Sequence, residues 1–85
     1  MKLKVATYNV IFKPEPEGGY TVIVPSLRGC VTYGKTLTEA KEMVEDAIKG
    51  FIESLKKHHE PIPTDEESFI TMVSVPQDNK TTVYA

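Results

Sequence analysis

The chain has 85 residues and a net charge of −2, with 10 basic side chains against 12 acidic ones. That balance excludes a nucleic-acid backbone as the main ligand, because phosphate binding relies on clustered Lys and Arg; it suits water or a basic partner. The apolar fraction of 40% and charged fraction of 26% are those of an ordinary globular protein. A single domain over 1–85 is expected, burying only about 60–65% of its unfolded surface, so help from self-association is expected too.

The chain opens MKLKVATYNVIF. Basic residues precede apolar ones, as in a signal peptide, but Thr7 and Asn9 interrupt the run and no small-residue cleavage pattern follows, so it reads as a strand. The β-branched and aromatic content of residues 3–12 supports this, with Ala6, Tyr8, Val10 and Phe12 as one apolar alternation. Pro14 and Pro16 are expected to stop the strand, and Gly18-Gly19 to supply a hairpin connection. Residues 20–24 form the second strand, with Tyr20, Val22 and Val24 on its apolar face. Residues 25–29 (PSLRG) are turn chemistry, and residues 30–33 a short third strand ended by Gly34.

Thr36 with Glu39 three residues later has the pattern of a helix N-cap and capping box. Leu37, Ala40, Val44, Ala47, Ile48, Phe51, Ile52 and Leu55 follow at helical spacing and, with Met43, fill about half of a helical wheel. Glu45–Lys49 and Glu53–Lys57 are i,i+4 pairs in the favoured order. Gly50 falls on the polar side, where a closely approaching backbone would account for it. Lys56, Lys57, His58 and His59 suit the negative end of the helix, and Pro61 and Pro63 forbid its continuation. After an acidic linker, TDEES, residues 69–75 (FITMVSV) alternate as a fourth strand, and residues 81–84 read as a short terminal one. The predicted fold is α+β, in the order β-β-β-α-β: an antiparallel three-stranded meander, one helix on one face, and a further strand. One helix covers one sheet face. The other carries Val5, Ile11 and Ile23, which calls for a second copy or a partner protein.

No catalytic, cofactor-binding or metal site is assigned. Acid–base or metal-dependent hydrolysis needs carboxylates converging on one cleft, yet no predicted strand carries Asp or Glu. The acids lie in the first turn, on the polar helix face (Glu39, Glu42, Glu45, Asp46, Glu53) and in the linker (Glu60, Asp65, Glu66, Glu67). Cys30 with His58 or His59 could in principle make a nucleophile–base pair, but a small thiol at the start of a strand packs well, and packing is the preferred reading. The same lone cysteine implies no disulfide and no oxidising compartment. Adjacent histidines lie about 100° apart on a helix and do not face one ligand position, so a helix-capping role is preferred to zinc. No apolar run approaches the roughly 20 residues of a membrane span, and a cytoplasmic location is expected.

Several motifs agree in order and spacing with a known family. Gly18-Gly19-Tyr20, the turn Pro25-Ser26-Leu27-Arg28-Gly29-Cys30, Gly34, Thr36-Leu37-Thr38-Glu39-Ala40 and Pro61-Ile62-Pro63 together resemble the HicB-type antitoxins of toxin–antitoxin systems, with Arg28 standing where the family pattern has Pro. The resemblance implies a partial ribonuclease H-like fold without that fold's catalytic carboxylates. It also implies a HicA-like partner, a small basic toxin that cleaves mRNA and is neutralised by contact. Many family members carry a C-terminal DNA-binding domain, whereas here about a dozen residues follow the fourth predicted strand, so direct DNA binding is not expected and the chain resembles the short form. The leading expectation is therefore a non-enzymatic antitoxin that forms a dimer or tetramer, with Arg28, the turn at 25–30 and the acidic surface as contact points. The alternative is a small oligomeric structural or regulatory protein without a toxin, and a residual nuclease is disfavoured by the scattered carboxylates.

Overall fold

The structure is a computed structural model and describes residues 5–78. Its elements are β1 (Ile11–Pro14), β2 (Tyr20–Ile23), β3 (Val31–Gly34) and α1 (Leu37–Lys57). The strands form an antiparallel sheet in the order β1-β2-β3, so the fold is α+β with the expected meander followed by one helix. Ile11 pairs with Ile23 and Ile23 with Val31; Phe12 pairs with Val22 and Val22 with Thr32. The register sorts side chains onto two faces. Phe12 and Val22 face the helix. Val22, Val24, Leu27, Cys30, Ala40 and Val44 make up the buried core, with Tyr8, Val10, Tyr20, Ile48, Phe51 and Leu55 packed around it. The opposite face carries the cross-strand row Ile11, Ile23 and Val31, of which Val31 is 56% exposed.

Two clamps hold the meander. In the β1–β2 turn Gly18 and Gly19 have φ of 104° and 80°, a region open to glycine. The Tyr33 hydroxyl on β3 donates to Gly18 O at 3.0 Å. It occupies the space a Cβ on Gly19 would need, 2.1 Å away. At the β3–α1 junction, Gly34 is buried against the first helical turn, where an added Cβ would lie 2.4 Å from both Ala40 Cα and Ala40 N. Gly34 therefore does more than end a strand: its missing side chain lets the helix sit down on the sheet.

The helix begins as expected. Thr36 is the N-cap and its Oγ1 accepts from Glu39 N at 3.1 Å. The return bond of the box goes one residue further back, with Glu39 Oε1 accepting from Lys35 N at 3.3 Å. At the other end His59, at φ 55°, takes the left-handed position, and His59 N donates to Lys56 O while Glu60 N donates to Leu55 O. These two bonds form a Schellman cap. His58 Nδ1 lies 2.8 Å from Ser54 O and completes it. Of the two expected ion pairs, Glu45–Lys49 is formed at 3.5 Å, and Glu53–Lys57 is not formed. Gly50 has nothing within 4 Å of an added Cβ, so no close approach accounts for it.

Three expectations need correction. Of the strand expected over 3–12, residues 3–4 lie outside the described residues, and the strand observed is Ile11–Pro14, because β2 ends at Ile23 and the turn beyond it leaves residues 5–10 without a strand partner. Pro14 does not break β1. Glu15 N donates to Gly19 O at 3.0 Å, so by alternation the odd-numbered residues of β1 direct their backbone groups at β2 and the even-numbered ones away. Proline at 14 therefore loses no ladder bond. Third, residues 69–75 form no strand within this chain. Among the described residues no strand pairs with them, and Phe69 is 82%, Met72 94% and Val73 80% exposed. The terminal strand expected at 81–84 lies outside the described residues.

Candidate functional site

The turn after β2 is wound tightly. Leu27 N donates to Val24 O, Cys30 N to Leu27 O and Val24 N to Cys30 O, and Gly29 has φ 89°. The winding drives Leu27 inward to 1% exposure and leaves Arg28 exposed beside it. At the far end of α1 the Schellman cap reverses the chain, bringing Glu60, Pro61, Ile62 and Pro63 back toward the same turn. Between them lies an open groove of about 550 Å³, lined by Ser26, Leu27 and Arg28 on one side, Phe51 and Leu55 on the helix, and residues 60–63 on the other side. Two motif segments more than 30 residues apart in sequence thus form the two walls of one surface feature, with an apolar floor and the Arg28 and Glu60 side chains on the walls.

Behind the groove one carboxylate ties the segments together. Asp65 is 6% exposed. Its Oδ1 accepts from Ser26 Oγ at 2.5 Å and its Oδ2 from Asn9 N at 3.0 Å, while Asp65 N donates to Thr7 O at 2.9 Å. These bonds hold its carboxyl below the ordinary value, the Ser26 bond contributing most and the Asn9 bond next. Asp65 thereby joins the chain before β1, the turn after β2 and the segment after α1. In the sequence it stands only as one of the acids of the linker. Glu66 is likewise held low, chiefly by a hydrogen bond from Thr64. Burial, with smaller contributions from Glu66 and Asp65, raises the Tyr8 hydroxyl, whose oxygen is enclosed without a hydrogen-bond partner among the described residues.

The other candidate chemistry is not assembled. Cys30 is buried in the core, and desolvation pushes its thiol up, opposite to the activation a nucleophile needs. His58 and His59 are exposed and serve the helix cap. Among the described residues no group of three or more His, Cys, Asp or Glu side chains is placed to hold a metal, and no helix is long and apolar enough to cross a membrane.

Fold and groove define a small α+β protein in which two of the motif segments line one surface groove. The family described as HicB-like antitoxin of bacterial toxin–antitoxin system matches residues 8–85, and the chain belongs to it. A UPF0150 protein of Thermoplasma acidophilum is 49% identical over 65 residues, covering 76% of this chain and 94% of that protein. A UPF0150 protein of Synechocystis is 36% identical over 63 residues, covering 74% and 80%. Antitoxin HicB of Escherichia coli K12 is 32% identical over 71 residues, which is 81% of this chain but only 51% of that protein; the chain spans about half of its length.

Proposed function

We propose that this protein is a non-enzymatic antitoxin that sequesters a HicA-like, mRNA-cleaving toxin by protein–protein contact. The observation that carries this reading is the groove, because the segments that define the family pattern, residues 25–30 and 61–63, face each other across it. The similarity to Antitoxin HicB supports it. So does the local charge balance: the first half of α1 exposes Glu39, Glu42, Glu45 and Asp46 against Lys41 alone, a surface suited to a basic partner. In this reading the groove takes an apolar anchor of the toxin, Arg28 sets its orientation, and the acidic first half of α1 speeds encounter.

The sheet-and-helix layout is consistent with the partial ribonuclease H-like fold that the family implies, and the bare Ile11–Ile23–Val31 row supports self-association into a dimer or tetramer. Co-expression with a HicA-like reading frame from the same locus tests the function. Rescue of growth and a co-purifying complex are expected, and Arg28→Glu with Ile62→Asp should weaken the complex at least tenfold without unfolding the protein. Absence of both complex and rescue overturns the proposal, and a locus with no such reading frame favours a structural or regulatory role instead.

A further inference from the structure

We propose that residues 69–75 complete the sheet of a second copy of this chain, each protomer laying its arm along the free edge of β1 in the other. This rests on the self-association reading above and names the element that does it. The arm, FITMVSV, contains no charge and alternates as a strand does, yet Phe69, Ile70, Met72, Val73 and Val75 are 52–94% exposed. Its presence on the outside makes the molecule long, 58 Å against 29 and 24 Å, with a radius of gyration of 16.5 Å, where a compact chain of this size has about 12 Å.

The same molecule presents the seat. β1 is an edge strand whose Phe12 directs its N–H and C=O groups away from β2, and because Thr7 O and Asn9 N in the segment before it are taken by Asp65, the same alternation carried through an extended lead-in would turn residues 6, 8 and 10 to the free side, where no strand lies among the described residues. An open row of this kind is a template for strand addition. Beside it, between the segment leading into β1 and the helix, is a gap of about 420 Å³ lined by Ala6, Tyr8, Ile48 and Ile52 together with Glu45 and Lys49. A strand on this edge would turn alternate apolar side chains into that gap. Lengths agree when the lead-in is counted with β1, since seven residues of arm and residues 6–12 would each span about 23 Å when extended.

The arm cannot reach this seat simply within its own chain. Asp65 is bonded to Thr7 O and Asn9 N, odd-numbered positions, so it stands on the β2 side of residues 7–9, opposite to the free edge. Only residues 66–68 separate it from Phe69, and Ser68 N is tied back to Asp65 O at 3.0 Å. The arm therefore leaves the body on the wrong side of its own edge strand, and a two-fold related copy offers the same edge without that obstruction. Seven residues this exposed carry on the order of 700 Å², of which docking on a strand edge buries about half, so two arms with the equal surface they cover bury about 1,400 Å², within the ~1,200–2,000 Å² of a stable dimer.

The test uses the full chain in sedimentation velocity and amide hydrogen exchange across a concentration series, with Thr71→Pro in the arm and Val31→Thr on the bare sheet face. A wild-type dimer is expected, with exchange at residues 70–74 and at Tyr8, Val10 and Phe12 slowing together as dimer forms. Thr71→Pro should raise the dimer dissociation constant at least 100-fold and leave the helical circular dichroism of the protomer unchanged, and Val31→Thr should have a far smaller effect. A dimer indifferent to Thr71→Pro overturns the arm exchange and leaves self-association standing, whereas a wild-type monomer at micromolar concentration overturns both. A monomer whose arm amides are protected, alone or only when a toxin is added, puts the arm on its own edge or on the toxin and equally refutes the exchange.

Discussion

Gly34 and Gly50 differ by what surrounds them, and replacing each by alanine separates a packing requirement from a helix-propensity effect. At Gly34 the new Cβ would lie 2.4 Å from Ala40 Cα and N and 2.8 Å from Ala40 Cβ, against a contact optimum of about 3.5–4.0 Å. The obstacle is helix backbone, which no rotamer change relieves, so α1 must lift from β3 by about 1 Å and loosen the core beneath it. Overpacking costs about 1–3 kcal/mol, and a backbone obstacle puts Gly34→Ala near the top of that range. The lower entropy of the unfolded alanine chain offsets about 0.5–1 kcal/mol, leaving a net loss of about 2–2.5 kcal/mol. For a domain this size that lowers Tm by about 10–20 °C, out of a total stability of about 4–13 kcal/mol. Gly50 is exposed on α1 with nothing within 4 Å of an added Cβ, and Gly50→Ala should gain about 0.8–1 kcal/mol, raising Tm by about 4–8 °C. Urea titration followed by far-ultraviolet circular dichroism at one fixed protein concentration measures both. A Gly34→Ala variant within about 0.5 kcal/mol of the parent would show that helix and strand do not meet as described, and the reasoning would fail.

Other perturbations test other parts of the fold. Leu27→Ala removes a side chain that is 1% exposed beneath the groove and should lower stability by about 2–5 kcal/mol in the same titration. His59→Gly frees the left-handed cap position at φ 55° and should raise Tm, with a gain of about 1 kcal/mol. The Asp65 carboxyl is held below its ordinary value in the folded chain, so it favours folding above the unfolded carboxyl pKa of about 3.9 and loses that contribution as pH falls through the lowered folded value. Asp65→Asn should accordingly be less stable than the parent at neutral pH, with the gap narrowing in acid-unfolding curves below about pH 4. Cys30, buried and with its thiol pushed up, should react with a thiol reagent only at the rate of unfolding, and prompt labelling of the native protein would contradict its place in the core.

The parts of the fold that were legible in the sequence are those governed by local chemistry. Thr36, Glu39 and the apolar spacing that follows specify α1 because capping and amphipathicity act within a few residues, and the helix runs from Leu37 to Lys57 as expected. Gly18-Gly19 specifies a hairpin for the same reason. Strand limits were less legible, since β1 extends only as far as β2 accompanies it and residue parity decides whether Pro14 breaks a bond. The role of Asp65 is not legible, because nothing in TDEES signals a bond to Ser26, 39 positions earlier. The groove joins residues 25–30 to 60–63, and although the family resemblance named both segments, only the cap at His58 and His59 makes them neighbours. The alternation of residues 69–75 reads as a strand, but a strand needs an edge to pair with, and among the described residues none accompanies this segment.

The Asp65 contact spans 56 positions to Asn9 and closes the chain into a ring that contains the sheet, the turn and the helix. A link of that span adds loop-closure entropy to its own formation, so it is expected to form after the hairpin and helix and to open before them. Opening it would release the residues on either side together, the lead into β1 and everything after α1, while the sheet and helix stay folded. Because the ring is already closed at Asp65, whatever follows can be extended or fitted with another module without entering the folding of what lies inside.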